Sequence, residues 1–278
     1  FTNSQVLIRT ACRNVFSFEN SSHRKSITEY ILSKVQSKVQ YYCLVFLLLP
    51  GIAIFQVTIV YPNLVVRFDA GIAKQLMHIF LISFCFINVV GNVIFSMMMD
   101  SSLKRPVTGG DRYCEHCRMM RPARSWHCMK CNVCIRKRDH HCFFLSRCIG
   151  LNNKRYFILF LGHVIITLLY LTYYNYYFAK LNYYQNEGRS VPQLVPGLNM
   201  FVVYMILNVF LLLFSSCLFY IQIRNAVMGV TCYEARFPEL RNSSKWRQNM
   251  LNIFGTRWYM AILWPLCTSP LPKDDKQS

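Results

Sequence analysis

Seven cysteines, Cys114, Cys117, Cys128, Cys131, Cys134, Cys142 and Cys148, fall within 35 residues and are interleaved with His116, His127, His140 and His141. Cys-x2-Cys pairs let thiolates and imidazoles meet one tetrahedral zinc, and repeated pairs with interleaved histidine point to metal rather than to disulfides. These eleven candidate ligands exceed the eight that two closed zinc sites need. Spacing alone does not say which three are left over, so a third partial site or a redox pair stays open. A spare cysteine beside a spare histidine suits nucleophilic catalysis, in which the thiolate attacks and the imidazole takes its proton. The run Asp139-His140-His141-Cys142 offers both, with Asp139 placed to orient an imidazole and stabilise its charged form.

The elements around this loop belong to a membrane. The 278 residues are 54% apolar and have positive mean hydropathy, too apolar for an ordinary soluble domain of this size. Four stretches, 41–61, 76–99, 156–179 and 200–223, lack any Asp, Glu, Lys or Arg. Each is long enough to cross about 30 Å of hydrocarbon as a helix. The expected fold is therefore an all-α integral membrane protein with four transmembrane helices and a cytosolic zinc-binding, cysteine-rich loop between helices two and three.

Charge sets the orientation. Residues 1–40 carry six Lys+Arg, 100–155 thirteen and 224–278 eight, against two each in 62–75 and 180–199. The positive-inside rule puts both termini and the central loop in the cytosol. The 31 basic against 12 acidic residues thus follow topology and anionic lipid, and nucleic acid is not an expected partner. The expected divisions are a cytosolic segment 1–40, helices one and two in 41–99, the zinc domain 100–155, helices three and four in 156–223 and a cytosolic segment 224–278. The chain opens at Phe1 rather than methionine, which leaves open whether its start is complete, and residues 1–27 are given no function.

Within the spans, Asn88, Asn92, His163 and Asn208 read as interhelical hydrogen-bonding groups, and Cys43, Cys85 and Cys217 as small packing residues. The tyrosines at the far end of the third span read as an aromatic belt. The apolar stretch 258–267 is too short to span and reads as interfacial.

The central loop resembles the cysteine-rich domain of the DHHC protein S-acyltransferases, the palmitoyltransferases. The likeness runs through Cys114, Cys117, Arg121-Pro122, Arg124, His127-Cys128, Cys131, Cys134, Asp139-His140-His141-Cys142, Cys148, Asn153 and Phe157. It implies two structural zinc ions, one on Cys114, Cys117, His127 and Cys134 and one on Cys128, Cys131, His141 and Cys148. Cys142 is then the nucleophile, His140 its base and Asp139 the orienting group, while His116 reads as a surface residue. Thr231-Cys232-Tyr233-Glu234 is similar to the family's Thr-Thr-x-Glu element, with cysteine at the second threonine, and Asn249-x4-Phe254-Gly255 to its C-terminal element.

The resemblance further implies a long-chain acyl-CoA donor with Arg121 and Arg124 on its CoA side, and transfer of palmitate or a similar acyl group in two ping-pong steps through acyl-Cys142. Protein substrates with membrane-proximal cysteines, the bilayer as partner, and the endoplasmic reticulum or Golgi as location follow from the same likeness. Thr167 and Tyr170 are its candidates for capping the acyl chain. Arg136, Lys137, Arg138 and Lys154-Arg155 read as topology and lipid attraction. The alternative is a non-catalytic zinc-binding membrane scaffold or adaptor, which has no need of Cys142.

Overall fold

The computed structural model describes residues 71–107, 109–186, 198–237, 245–267 and 269–271, together with Val39 and Ile54. The first expected span, 41–61, lies outside the described residues but for Ile54. The described residues of Val90–Phe160 and Phe219–Ser278 form one compact unit and those of Tyr42–Val89 and Leu161–Leu218 a second.

Three long helices, α1 (Ile72–Met98), α2 (Lys154–Asn186) and α3 (Leu198–Val227), are apolar enough to cross a membrane. At 1.5 Å per residue α1 alone is about 40 Å long, more than the hydrocarbon requires. Its buried polar groups Asn88, Asn92 and Ser96 recur every fourth residue and so share one helix face. In the second unit Thr172 donates to Asn208 Oδ1 (2.6 Å), an interhelical bond of the expected kind. The Tyr170 and Tyr174 hydroxyls lie 2.8 and 2.9 Å from His78 Nδ1.

The cysteine-rich segment is not helical, which corrects the all-α expectation. It folds as three antiparallel hairpins: β1 (Arg112–Cys114) with β2 (Met119–Arg121), β3 (Ser125–Cys128) with β4 (Val133–Arg136), and β5 (His140–Cys142) with β6 (Arg147–Ile149). Strands of three or four residues are too short to write a period-two pattern into the sequence. The hairpins nonetheless repeat. Cys114, Cys128 and Cys142 stand fourteen apart and each closes the first strand of its hairpin, while Cys117, Cys131 and Leu145 follow three residues later. The next residue in each turn, Arg118, Asn132 or Ser146, has a positive φ of 51°, 53° or 52°. One knuckle is thus built three times, each with its turn closed by a left-handed residue.

The segment after α1 extends this module. Arg136 donates its backbone N–H to Ser101 O and Leu103 to Cys134 O, so residues 101–103 run beside β4. Gly150 packs so closely there that a Cβ would sit 2.7 Å from Arg136 O and 2.8 Å from Ile135. Asn153, fully buried ahead of α2, ties the pieces together. Its Oδ1 accepts from Gly150 N (2.8 Å) and Ser101 Oγ (3.3 Å), and its Nδ2 donates to Ser96 O (3.1 Å) and Cys148 O (3.0 Å).

After α3 a 3-10 turn (Glu234–Arg236) precedes α4 (Trp246–Phe254) and α5 (Trp258–Leu263). Phe254 and Ala261 bury against Ile158, Leu159 and Ala226. Asn249 donates to Val227 O (3.0 Å) and packs on Gly229, whose φ of 69° and lack of Cβ admit the amide. This element packs on the helix bases, and α5 leaves Trp258, Tyr259 and Leu263 exposed.

Asn153→Ala removes four hydrogen bonds at one buried point. We expect a stability loss on the order of 3 kcal/mol, read as a lowered unfolding temperature of the detergent-purified protein.

Candidate active site and metal centres

The hairpins share their ligands in sequence. Cys114 and Cys117 from the first knuckle meet His127 and Cys134, which face each other across the second hairpin. Cys128 and Cys131 from the second knuckle meet His141 and Cys148, which face each other across the third. Within each group the donor atoms all lie within 4.8 Å of one another, so both groups could hold a metal ion. His127 Nδ1 is 3.2 Å from Cys117 Sγ, and His141 Nδ1 is 3.3 Å from Cys131 Sγ.

Three sulfurs and one imidazole are the donor set of a closed tetrahedral zinc site. The electrostatics fit the same ion. In the second group the neighbouring thiols, Cys131 first, hydrogen-bond to Cys128 and favour its thiolate, while donating to Cys128 pushes Cys131 up to about 11 and Cys148 upward too. Thiols so crowded resist losing their protons one after another, and a dication removes that resistance. His116 is exposed, as expected of a surface residue, and its ring stacks on that of His127 at 4.7 Å.

The third knuckle is followed by α2, and among the described residues no fourth hairpin completes it. Leu145 stands where the other two carry their second cysteine, and α2 begins where further ligands would be needed. Cys142 is buried and belongs to neither group. Asp139 and His140 lie beside it, also buried, with His140 Nδ1 2.8 Å from Asp139 Oδ2 and the Phe157 ring against the imidazole. The three residues expected to do chemistry therefore meet.

Asp139 is a hub. Its Oδ1 accepts from Lys154 Nζ (2.8 Å) and the Cys232 N–H (3.0 Å), and its Oδ2 from His140 Nδ1 and Gln222 Nε2 (2.8 Å). Burial opposes its charge, but Lys154 and then His140 outweigh that and hold the carboxyl well below the usual range. Burial likewise opposes the imidazolium of His140, yet hydrogen bonds with Asp139 and Cys142 push it up to about 9. Asp139, His140 and Cys232 also cluster, but an ammonium and three other donors already occupy the carboxylate, which does not suit a metal.

Lys154 and Gln222 were hidden in the sequence. Lys154 sits in a basic pair before an apolar span and read as a topology signal, whereas here it is buried. Gln222 closes a span as an uncharged polar residue, with Asn225 one turn on, and that i, i+3 pair was the available sign. Both amides donate to Cys232 Sγ, at 3.4 and 3.3 Å. The backbone N–H of Cys232 makes the Asp139 contact, so the missing hydroxyl of the second threonine does not cost that bond.

Thr231 and Glu234 bond reciprocally, Thr231 N to Glu234 Oε2 (2.9 Å) and Glu234 N to Thr231 Oγ1 (3.1 Å), in the manner of a capping box. Arg124, expected on the CoA side, is engaged within the chain. Its guanidinium pairs with both oxygens of buried Glu234 and donates to Gly229 O (2.9 Å), clamping the hairpin module to the end of α3. Arg121 donates to Ser125 O and lies 5.3 Å from the Trp126 ring, with Arg112 at 5.5 Å. Arg124→Ala leaves Glu234 buried and unpaired. We expect a loss of about 3 kcal/mol in thermal unfolding, and a smaller one when Glu234→Gln is added.

Residues 107–237 match the family model for the DHHC palmitoyltransferase domain. Palmitoyltransferase ZDHHC15 of Mus musculus is 31% identical over 134 residues, 46% of this chain and 35% of that protein. Probable palmitoyltransferase ZDHHC24 of Homo sapiens is 29% identical over 228 residues, 73% of this chain and 78% of that protein. Palmitoyltransferase ZDHHC2 of Rattus norvegicus is 40% identical over 67 residues, 24% of this chain and 18% of its own length. The chain thus spans about a third of the ZDHHC15 relative and most of ZDHHC24. The matched span contains all three hairpins, the Asp139 hub and the Thr231–Glu234 turn, so over these residues the chain is similar to the DHHC palmitoyltransferase domain.

Proposed function

We propose that the chain is a protein S-acyltransferase that moves a long-chain acyl group from acyl-CoA to protein cysteines through acyl-Cys142. The observation that carries this reading is the juxtaposition of Cys142, a knuckle thiol outside both metal groups, with the buried His140–Asp139 pair.

In the first step His140 takes the Cys142 proton and the thiolate attacks the acyl-CoA thioester carbon. The tetrahedral adduct collapses, the C–S bond to CoA breaks, and the imidazolium returns the proton to the departing CoA thiolate. In the second step His140 takes the proton of a substrate thiol, which attacks acyl-Cys142. Cys142 leaves as thiolate and is reprotonated. Each step exchanges one thioester for another, so catalysis needs chiefly placement and thiolate supply. An ordinary thiol is only a few per cent ionised near neutral pH, which gives the base its work.

Cys114, Cys117, His127 and Cys134 would hold one zinc, and Cys128, Cys131, His141 and Cys148 the other. Both are closed four-ligand sites with a structural role, fixing the hairpin that carries Cys142. Arg121, beside Arg112 and Trp126, remains the candidate for CoA, while Arg124 is assigned to the Glu234 clamp. The basic central loop favours the cytosolic membrane face, with the endoplasmic reticulum or Golgi as the family expectation. A zinc scaffold would use the eight ligands but leave the buried Asp139–His140 pair beside Cys142 without purpose.

Labelling with a clickable palmitoyl analogue tests the proposal. The parent should take up label that neutral hydroxylamine releases, and Cys142→Ser should take up none while keeping two zinc ions. His141→Ala should lose about one zinc, and its labelling with it. Hydroxylamine-sensitive label retained on Cys142→Ser would refute the assignment.

A further inference from the structure

We infer that Lys154 is a positioning residue of the acyl-transfer site: its ammonium locks one oxygen of Asp139 so that the other is presented to His140. This rests on the proposed role of Cys142 and extends it. Lys154 Nζ lies 2.8 Å from Asp139 Oδ1 and 3.4 Å from Val230 O, and the residue is only 5% exposed. Burying an ammonium is costly, and the first residue of a helix is where the macrodipole disfavours a cation. A charge kept there against both penalties points to its partner, Asp139, and not to lipid attraction.

The division of bonds between the two oxygens says what the ammonium does. Lys154 and the Cys232 N–H hold Oδ1, while His140 and Gln222 hold Oδ2. Turning the carboxylate about its Cβ–Cγ bond would break the charge-assisted bond on one side and the imidazole bond on the other. The carboxylate therefore stays in one orientation. With Nδ1 of His140 fixed to Oδ2, the second ring nitrogen is left to serve Cys142. Without Lys154 a single backbone N–H remains on Oδ1, and the imidazole loses its fixed orientation.

The test uses the full chain with palmitoyl-CoA, reading the rate constant of enzyme acylation at saturation, KM and bound zinc. Lys154→Met should slow acylation at least about tenfold, the scale of a lost charged hydrogen bond. KM for palmitoyl-CoA should stay within about twofold, both zinc ions should remain, and Lys154→Arg should recover part of the rate. In an Asp139→Asn background the same Lys154→Met change should add less than about twofold, because the residue acts through Asp139. A parent-like rate in Lys154→Met, a loss confined to KM, or a full loss repeated on Asp139→Asn would each overturn the inference. If Lys154→Met loses zinc, Lys154→Gln replaces it under the same readouts. A parent that fails to acylate Cys142 would instead strike the acyl-transfer reading itself.

Discussion

The structure depends on ligand sharing between successive hairpins. Each candidate metal group takes two cysteines from one knuckle and a facing His–Cys pair from the next, so neither hairpin of a pair owns a complete site. The small clusters around them, Leu103 with Cys114 and Cys134, and Ile135 with Cys128 and Cys148, consist largely of the ligands themselves. Little apolar surface is left to hold three-residue strands together, and a two-stranded hairpin is marginal alone. A metal ion held at each group would bind the hairpins into one unit.

The same ladder leaves one knuckle thiol, Cys142, outside both candidate metal groups at its end. Cys142 occupies the place that Cys114 and Cys128 occupy in the earlier knuckles, but the chain enters α2 before a further His–Cys pair can be supplied. What meets the last knuckle is the Asp139 hub, whose donors come from β5, α2, the base of α3 and the turn after it. The Arg124–Glu234 pair and the Asn153 bonds tie the module to the surrounding helix ends. A site assembled from so many elements keeps its geometry only while all of them stay docked.

Much of this was legible in the sequence because ligand chemistry is local. The spacing of the cysteines pointed to metal, and the family resemblance divided the eight ligands as the geometry groups them. The apolar runs around 76–99, 156–179 and 200–223 appear as α1, α2 and α3. The hairpins were missed because their strands are too short for a hydrophobic period. The fourteen-residue recurrence of Cys114, Cys128 and Cys142 was the signal that could have revealed them. The carboxylate partners of Lys154 and Arg124 were not legible for one physical reason: a basic residue in a basic loop looks solvated until the fold supplies a buried carboxylate from 15 residues away in one case and 110 in the other.

The central claim is that Cys142 accepts the acyl group as a thiol that no metal holds. Native mass spectrometry of the purified chain after exposure to palmitoyl-CoA, followed by peptide mapping, tests it most directly. The account predicts one palmitoyl adduct, located at Cys142, on a protein that still carries two zinc ions. An adduct on another cysteine, or one that forms only as zinc is lost, would contradict it.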